Sequence, residues 1–572
     1  MKKGKFLLIN ALVFGTFIGS GLTSCSNTTT NESAYEATVT FDYDSSLLSV
    51  GIKDSKESYK EGDVIALNLT FNSGYDLSFV TLNGETVEDI NSITLAAGKN
   101  IIKIYVKTTG GLTGSTNIRD FIFEEDGDGY AIASYVPTGI IPTTVDIPET
   151  YQGKKVTTIK TNAFVSAGGI KYVNISKNIT TIEKEAFKNL STLVGFEVSS
   201  ENSAYSSVDG NLYSKDQSIF YVFAAANTNP VKLPSALKTI SDSAFYGATK
   251  LKSVTLNDGL ETIGDSAFYN CQSLESIVIP NTVTTIGASA FKGCSAIKSV
   301  TLSNSLTALN DYTFMQCLKL PSIDIPSSVK TIGTDAFFSC YELSTITFHE
   351  GLVELKDSSL SYSGIIEVTF PSTLKTVGEN TFTGCDYLTS VKFNEGLETI
   401  GSYAFNITKL LSYVNIPSTV TSIGKGAFTA CLSLKEFDVS SSNKNYAVID
   451  GVLFTKDLKT LIAYPNSKAD KSYTIPTGTE TIDFRAFNYI SSDPYAESSQ
   501  YYSLEELTIP TSVVSMKNPF YGGKLKKVTY LGTIAEFNEH FSDTIIDSGS
   551  EYKWNDGANI LSVVCRDGTW SA

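Results

Sequence analysis

Apolar side chains recur at six positions of a 23-residue unit along most of this chain. In the unit that ends at Phe268 they are Leu251, Val254, Leu256, Leu260, Ile263 and Phe268. Val254 and Leu256 are two positions apart, which predicts a short strand with one buried face. The Pro or Asn-Asp-Gly that follows such a pair predicts a turn at the end of the strand. A second short extended stretch, Thr-Ile-Gly, leads into an Ala-Phe pair, where a preceding Ser or Asp can cap one helical turn. Because one unit cannot bury six large side chains alone, we expect the units to stack into a solenoid with a continuous core.

The Ala-Phe position marks the phase of the repeat. It falls at residues 163, 186, 244, 267, 290, 313, 336, 359, 381, 404, 427 and 486, and in degenerate form at 519. Eight of the twelve intervals have the full length of the unit, and the one from 359 to 381 is shorter by one, so this unit builds the chain. The 58- and 59-residue intervals contain YSSVDGNLYSKD (205–216) and YAVIDGVLFTKD (446–457). Asp-Gly between alternating apolar residues predicts an inserted hairpin in each interval, and we expect both hairpins to project from the array.

The unit IPNTVTTIGASAFKGCSAIKSVTL (279–302) resembles the repeat of the BspA-like leucine-rich repeat surface proteins of bacteria. This resemblance covers about residues 119–572. It implies a leucine-rich-repeat solenoid of the α/β class, strand-rich with short helical turns and about 23 residues per coil. We place the solenoid at 119–516, with hairpin inserts near 200–226 and 441–465, and a C-terminal cap like that of the family at 517–572.

The residues ahead of the array have a different pattern. Residues 37–108 alternate apolar and polar side chains as short strands do, and they resemble the small β-sandwich modules related to internalin B-type repeats. This predicts a small all-β sandwich module, joined to the solenoid by a Gly- and Thr-rich linker at 109–118.

The N-terminus has the features of an export signal. Three lysines among the first five residues precede a 13-residue apolar stretch (6–18), which is short for a membrane span. The tetrapeptide that ends at Cys25, LTSC, resembles the bacterial lipobox, which implies a signal peptide at 1–24 and lipidation of Cys25. Residues 25–36 would then form a lipid-anchored linker outside the membrane. The alternative is an ordinary signal peptide with an incidental cysteine.

Charge and composition argue against several classes of function. The net charge of −16 argues against a nucleic-acid partner, because no basic surplus is available to displace phosphate counterions. Two histidines, His349 and His540, leave little material for acid–base catalysis, and no nucleophile triad, P-loop or zinc-protease motif is present. We therefore expect no enzyme, cofactor or metal; a glycan-active enzyme is a remote alternative.

Three features raise the question of metal chemistry. Six cysteines (271, 294, 317, 340, 385 and 431) share one phase without any paired spacing, which favours a column of buried reduced thiols over zinc; disulfides between coils are an alternative. EEDGDGY (124–130) has alternating acidic residues, but Tyr135 stands where a calcium loop has Glu, so a hairpin is expected. We expect His349 to be a solvent-facing turn residue.

The outward side chains of the predicted strands form rows of hydroxyls with few charges. Such rows either hydrogen-bond a glycan or polypeptide, or serve as soluble strand-forming filler, and sequence leaves both open. The candidate binding face comprises Ser276, Ser299, Thr301, Ser322, Asp324, Thr345, Thr347, Thr369, Ser390, Tyr413 and Asn415. The resemblance implies a membrane-anchored lipoprotein on the bacterial cell surface, an adhesin that binds an extracellular protein or glycan. The alternative is a passive spacer that presents the N-terminal module.

Overall fold

The computed structural model describes residues 36–43, 48–71, 75–108, 116–137, 141–227, 231–488, 503–516, 519–521, 525–545 and 562–571. The predicted signal peptide, Cys25, the linker at 25–35 and most of the linker at 109–118 lie outside the described residues. Contacts divide the chain into two compact units, Met1–Asn117 and Ile118–Ala572.

The first unit is a small β-sandwich, as its alternating pattern predicts. One sheet contains, in spatial order, Tyr59–Lys60, Glu36–Asp42, Gly98–Thr108, Tyr75–Leu82 and Glu85–Val87. The other contains Leu48–Lys53, Val64–Phe71 and Ile93–Thr94. Val39, Val80 and Ile102 from the first sheet share one buried cluster with Leu48 and Leu67 from the second. The two sheets therefore pack face to face around a single core.

The second unit is a strand-rich solenoid in which each coil contributes one strand to a first sheet, and hydrogen-bonded pairing within this sheet is interrupted into groups of two to five strands. This sheet precedes the Pro or Asp-Gly turn of each unit. Its strands are Thr144–Asp146, Tyr172–Ile175, Gly195–Val198, Val231–Lys232, Val254–Thr255, Ser276–Val278, Ser299–Thr301, Ser322–Ile325, Thr345–Phe348, Glu367–Thr369, Ser390–Lys392, Tyr413–Ile416, Glu436–Val439, Ser472–Thr474, Glu506–Ile509 and Lys527–Tyr530. Sixteen strands among the described residues correspond to about sixteen coils.

The Thr-Ile-Gly segments form a second sheet on the other side of the core. Its strands are Lys154–Ile159, Thr181–Ile182, Ile219–Val222, Thr239–Ile240, Thr262–Ile263, Thr285–Ile286, Ala308–Leu309, Thr331–Ile332, Glu354–Leu355, Thr376–Val377, Thr399–Ile400, Ser422–Ile423, Thr460–Ala463, Thr481–Ile482 and Ser515–Met516. Paired strands in both sheets run parallel and join residues of the same phase, such as Ser276 with Ser299 and Thr262 with Thr285. Residues at the same position of the sequence repeat therefore pair with each other in the sheets.

The core between the sheets is a stack of phenylalanines. Phe245, Phe268, Phe291, Phe314 and Phe337 are fully buried, and neighbouring ring centroids lie 4.6 to 5.6 Å apart with planes within 10° of parallel. Each ring thus packs against the same residue of the coils before and after it. The six predicted apolar positions of each unit are confirmed as the interior of the solenoid.

The Ala-Phe segment is a tight turn and not the single helical turn that we expected. Ser266 and Asn270 have φ values of 54° and 57°, so two residues of the turn are left-handed. The backbone N–H groups of Ser266, Phe268 and Asn270 donate to carbonyl oxygens of the next coil, at 2.7 to 2.8 Å. The Asp265 carboxylate accepts the N–H of Ala288, also in the next coil. Hydrogen bonds between coils therefore alternate with bonds inside the turn, such as that from the Tyr269 N–H to the Ser266 carbonyl oxygen, instead of forming the continuous ladder of a helix.

The two inserted hairpins are confirmed, but they do not project as expected. Tyr205–Val208 pairs with Asn211–Ser214, and Tyr446–Ile449 pairs with Val452–Thr455. The second strand of each hairpin then pairs with the strand of the second sheet that follows it. Leu212, Tyr213, Leu453 and Phe454 are buried in the core. The inserts therefore extend the second sheet because their apolar faces complete the interior.

One buried asparagine anchors each hairpin to the coil before it. The Asn443 side-chain amide donates to the carbonyl oxygens of Pro417 and Val420, at 2.7 and 3.1 Å. Its side-chain oxygen accepts two backbone N–H groups at the start of the hairpin, one of them from Tyr446. Asn202, at the matching position of the first hairpin, makes the equivalent four bonds. This asparagine therefore joins the last regular coil to the insert at both places.

Different elements close the two ends of the second unit. Phe121–Asp126 and Gly129–Tyr135 form an antiparallel hairpin, which confirms the hairpin interpretation of EEDGDGY. At the other end, the helix Ile534–Ile545 buries Phe537 and Phe541, and Ser562–Cys565 pairs with the last coil and with Gly568–Ser571. Of the described helices, none has the length and apolar character needed to cross a bilayer.

Candidate functional site

The predicted binding face lies on the outer surface of the first sheet. We call it the hydroxyl face: the outward side chains of the strands from Ser276–Val278 to Tyr413–Ile416. The exposed members are Ser276, Ser299, Thr301, Ser322, Asp324, Thr345, Thr347, Thr369, Ser390 and Tyr413, and Asn415 is half-buried. In-register pairing joins the strands of this face two at a time, such as Ser276 with Ser299 and Ser322 with Thr345, and paired residues lie about 4.8 Å apart. Successive pairs of strands are neighbours along the solenoid, so the face extends over several coils.

Some ionisable groups on and beside this face form hydrogen-bonded pairs, whereas the exposed Glu367 and Lys392 form no ion pair among the described residues. The Nε2 atom of His349 lies 2.7 Å from Asp324 Oδ1 in the preceding coil, and both side chains are exposed. Tyr413 donates its hydroxyl proton to Asp438, and Asn415 donates to the same carboxylate oxygen, both at 3.0 Å. Partial burial, together with the Asp438 carboxylate, raises the pKa of the Tyr413 hydroxyl. His349 thus is a solvent-facing turn residue, as expected, and it contacts a neighbouring carboxylate.

An exposed apolar edge runs beside the hydroxyl face, and our sequence reasoning missed it. We call Tyr341, Ile366, Tyr387 and Leu410 the tyrosine edge; they are 59, 49, 61 and 46% exposed. Each lies in the turn just before the first-sheet strand of its coil, and the four coils are successive. The sequence contains a signal for this edge. The equivalent turns of upstream coils carry polar or small residues, Gln272 and Ser273 or Ser295 and Ala296, where the coils of the tyrosine edge carry large apolar side chains.

The turn that carries Ile366 lies between the coils of Tyr341 and Tyr387. It is shorter by one residue than the other turns, because the repeat interval from 359 to 381 is the short one. Gly364 occupies it, and a Cβ atom at this position would lie 2.2 Å from the carbonyl oxygen of Tyr341. A glycine therefore allows the shortened turn to approach its neighbour closely. Tyr341 and Tyr387 lie on the coils before and after this turn. They are separated by two coil spacings, which is roughly 10 Å.

The rings of the tyrosine edge differ from other surface aromatics of the solenoid. Tyr246 and Tyr269 stack on each other at 4.7 Å, and the Lys188 ammonium lies 4.5 Å from the Tyr246 ring centroid. Within the part of the chain that the structure describes, no ring or ammonium group packs against Tyr341 or Tyr387 in this way. Their faces are therefore available to a partner, whereas the Tyr246 and Tyr269 faces are already used within the molecule.

The cysteines form an interior column and contribute no chemistry to the surface. Cys271, Cys294, Cys317 and Cys340 are fully buried free thiols, and each donates to the carbonyl oxygen of a phenylalanine in the preceding coil, at 3.1 to 3.4 Å. Burial raises the pKa of the Cys340 thiol to about 12. Across the described ranges, no three His, Cys, Asp or Glu side chains are grouped so as to hold a metal ion. The predicted buried thiol column is confirmed.

Comparison with known proteins yields one family and several solved structures. Six copies of the BspA type leucine-rich repeat region match residues 142–213, 217–341 and 307–435, just over half of the chain. A leucine-rich repeat protein from Bacteroides ovatus is 23% identical, with a TM-score of 0.44, over 75% of this chain and 97% of that one. A leucine-rich cell surface protein from Faecalibacterium prausnitzii is 21% identical, with a TM-score of 0.38, over 75% and 98% of the two chains.

A leucine-rich repeat protein from Eubacterium ventriosum is 27% identical, with a TM-score of 0.38, over 46% of this chain and 64% of that one. No curated protein sequence matches this chain significantly. The family match spans the same coils whose phenylalanine stack, parallel sheets and thiol column are described above. The chain therefore belongs to the BspA-type leucine-rich repeat family.

Proposed function

We propose that this chain is an exported, lipid-anchored bacterial surface protein that binds an extracellular protein through the hydroxyl face and the adjoining tyrosine edge. The tyrosine edge is the observation that carries this proposal. Aromatic and aliphatic side chains exposed together beside a polar sheet are typical of protein interaction sites. Ile366 and Leu410 favour a protein over a sugar ligand, because aliphatic side chains match the apolar groups of a protein surface.

A glycan ligand is the second candidate. The rows of hydroxyls on the hydroxyl face favour it, since they can donate to and accept from sugar hydroxyls. A passive spacer is less well supported, because a spacer needs no exposed apolar cluster, and such clusters carry a risk of aggregation. The absence of a convergent group of ionisable side chains on the described face favours a binding role without catalysis.

Surface display rests on the N-terminal sequence. The short apolar stretch after three lysines, and the LTSC tetrapeptide, support export and attachment of lipid to Cys25. A Cys25→Ser variant should lose lipid labelling and leave the membrane fraction in cells that make the protein. Unchanged processing and membrane retention of that variant would contradict lipid anchoring.

A binding screen tests the role of the face. The mature chain would be applied to a panel of purified extracellular matrix proteins and glycans, beside a variant that carries Thr301→Glu and Thr347→Glu. Both threonines are exposed on the hydroxyl face, so the substitutions should leave the fold intact and abolish capture of the partner. A panel with no bound member, or capture that survives the charged face, would contradict the proposal.

A further inference from the structure

The second hairpin carries an open polar groove that lies apart from the hydroxyl face. Its volume is about 430 Å³, against about 40 and 10 Å³ for two other described cavities. This volume is in the range of small-ligand sites, which is about 300–1,000 Å³. The groove lies between the start of the hairpin, the Lys-Asp turn at its end and Thr421 of the coil before it; Lys444, Asn445, Lys456 and Thr460 also line it.

The charged side chains that line this groove are two ammonium groups and one carboxylate. Among the described residues, neither Lys444 nor Lys456 forms an ion pair, and both are exposed. By contrast, the neighbouring Lys459 is 2.7 Å from Glu480. The exposed Asp457 carboxylate accepts the Thr455 hydroxyl and the Lys459 backbone N–H, so the groove carries two positive charges against one negative charge. On a chain with a net charge of −16, two such lysines at one groove favour an anionic ligand.

The remaining polar groups of the groove suit a sugar. The Asn445 amide donates to the Thr421 carbonyl oxygen at 3.1 Å, which fixes the side chain and leaves its oxygen free to accept. The Thr421 hydroxyl donates to the Glu398 carbonyl oxygen at 3.3 Å and can accept, and the Thr460 hydroxyl can donate and accept. Donors and acceptors at fixed positions, beside a pair of cations, match a ring that bears both hydroxyls and an acidic group.

The first hairpin shows that this groove is not a necessary feature of the insert. The two hairpins share the anchoring asparagine, the tyrosine and the Lys-Asp turn at matching positions. At the groove, however, Ser203, Ala204 and Ile219 stand in the first hairpin where Lys444, Asn445 and Thr460 stand in the second. The remaining lysine of the first hairpin, Lys215, donates to the carbonyl oxygen of Ser200 at 3.4 Å.

We infer that the groove at the second hairpin is a binding site for an acidic sugar, a carboxylated or sulfated unit of an oligosaccharide. Lys444 and Lys456 contact the acidic group, while Asn445 and Thr460 contact ring hydroxyls. This site does not depend on the hydroxyl face, and so it can stand if the proposed function of that face fails.

Calorimetric titration of the mature chain tests the inference with four probes. These are a uronate tetrasaccharide, a sulfated tetrasaccharide, the neutral hexose tetrasaccharide of the same linkage and a glutamate peptide of equal charge. We expect one or both acidic sugars to bind, and the neutral sugar and the peptide to bind at least about tenfold more weakly. The tighter of the two acidic sugars identifies the acidic group that the site takes.

The variants separate the groove from general charge. Lys444→Gln combined with Lys456→Gln should weaken the acidic sugar at least about tenfold, and Asn445→Ala combined with Thr460→Ile should also weaken it. Lys215→Gln, which removes the matching lysine of the first hairpin, should not change the affinity. Unchanged melting temperatures establish that each variant is folded. The inference is overturned if no acidic sugar binds, if the peptide binds equally well, or if Lys215→Gln weakens binding as much as the groove variants.

Discussion

The coils around Phe268 and those around Phe382 have the same interior but different edges. Both rings lie fully buried in the phenylalanine stack, and both coils place a buried thiol at the same position after the ring, Cys271 and Cys385. In the turn before the first-sheet strand, the upstream coil carries Gln272, whereas the downstream coil carries Tyr387, which is 61% exposed. Stacking in register constrains the interior of every coil, while the turn residues can vary without cost to the core. A change of function along the solenoid is therefore expected at the edges.

The two hairpins show the same contrast between constrained and variable positions. Their anchoring asparagines make equivalent bonds, yet the groove residues differ at Lys444, Asn445 and Thr460. Residues that hold the insert in place are the same in both copies, whereas these three groove residues have different counterparts in the first hairpin. The predictions below test this division between interior and surface.

The largest effect is expected from a change in the phenylalanine stack. Phe291→Ala should lower the free energy of unfolding by about 3–5 kcal/mol, because it removes a fully buried ring and leaves a cavity between coils that cannot easily collapse. Chemical denaturation followed by circular dichroism would measure it. A loss below about 1 kcal/mol, typical of a surface substitution, would show that the interior is wrongly assigned.

A smaller loss is expected where a hairpin joins its coil. Asn443→Ala removes four hydrogen bonds of a side chain that is 1% exposed, and it leaves buried backbone groups without partners. We expect the free energy of unfolding to fall by about 2–3 kcal/mol. Asn445→Ala, two positions later and exposed, serves as the control and should cost much less. Equal losses of unfolding free energy in the two variants would contradict the anchoring role of Asn443.

The thiol column should make the solenoid sensitive to alkali. Burial raises the pKa of Cys385 from the ordinary 9.0 to about 11. Below pH 9 the thiol stays protonated in both the folded and the unfolded chain; above it only the unfolded chain loses the proton, so stability falls as the pH rises toward 11. A Cys385→Ala variant should show a weaker fall between these pH values. Rapid labelling of Cys385 by a bulky maleimide in the native protein at pH 7 would contradict its burial.

The smallest stability effect is expected on the hydroxyl face. Thr301→Ala replaces an exposed side chain and should change the free energy of unfolding by less than about 1 kcal/mol. The same denaturation experiment as for Phe291→Ala gives a direct comparison. Equal destabilisation by the two variants would mean that the inward and outward faces are inverted.

Sequence alone could predict the features that recur with the repeat. The six apolar positions, both strands, the inserted hairpins and the thiol column each follow from a periodic pattern. The left-handed turn residues could not be found in this way, because Ser266 and its counterparts are ordinary polar residues whose conformation depends on bonds from the next coil. Asn202 and Asn443 were missed since they lie in the inserts, outside the phase of the array.

The candidate site was only partly predictable for a related reason. The outward rows follow from strand alternation, so the exposure of Thr301 and Thr347 could be expected. Tyr341 and Tyr387 lie at different positions of their turns, five and six residues after the Ala position, so alignment by phase gives no inward or outward assignment. Their free ring faces depend on what packs beside them, which is a property of the folded chain.

The most direct test of the account compares partner binding by two matched variants. One carries Tyr341→Ser and Tyr387→Ser; the other carries Gln272→Ala and Ser273→Ala in the equivalent turn of an upstream coil. Both would be measured by surface plasmon resonance against each extracellular matrix protein that captures the unmodified mature chain. We predict that the tyrosine variant binds at least about tenfold more weakly with an unchanged melting temperature, and that the upstream variant binds like the unmodified chain. Equal affinity of all three proteins would contradict the claim that the edges of the coils carry the function.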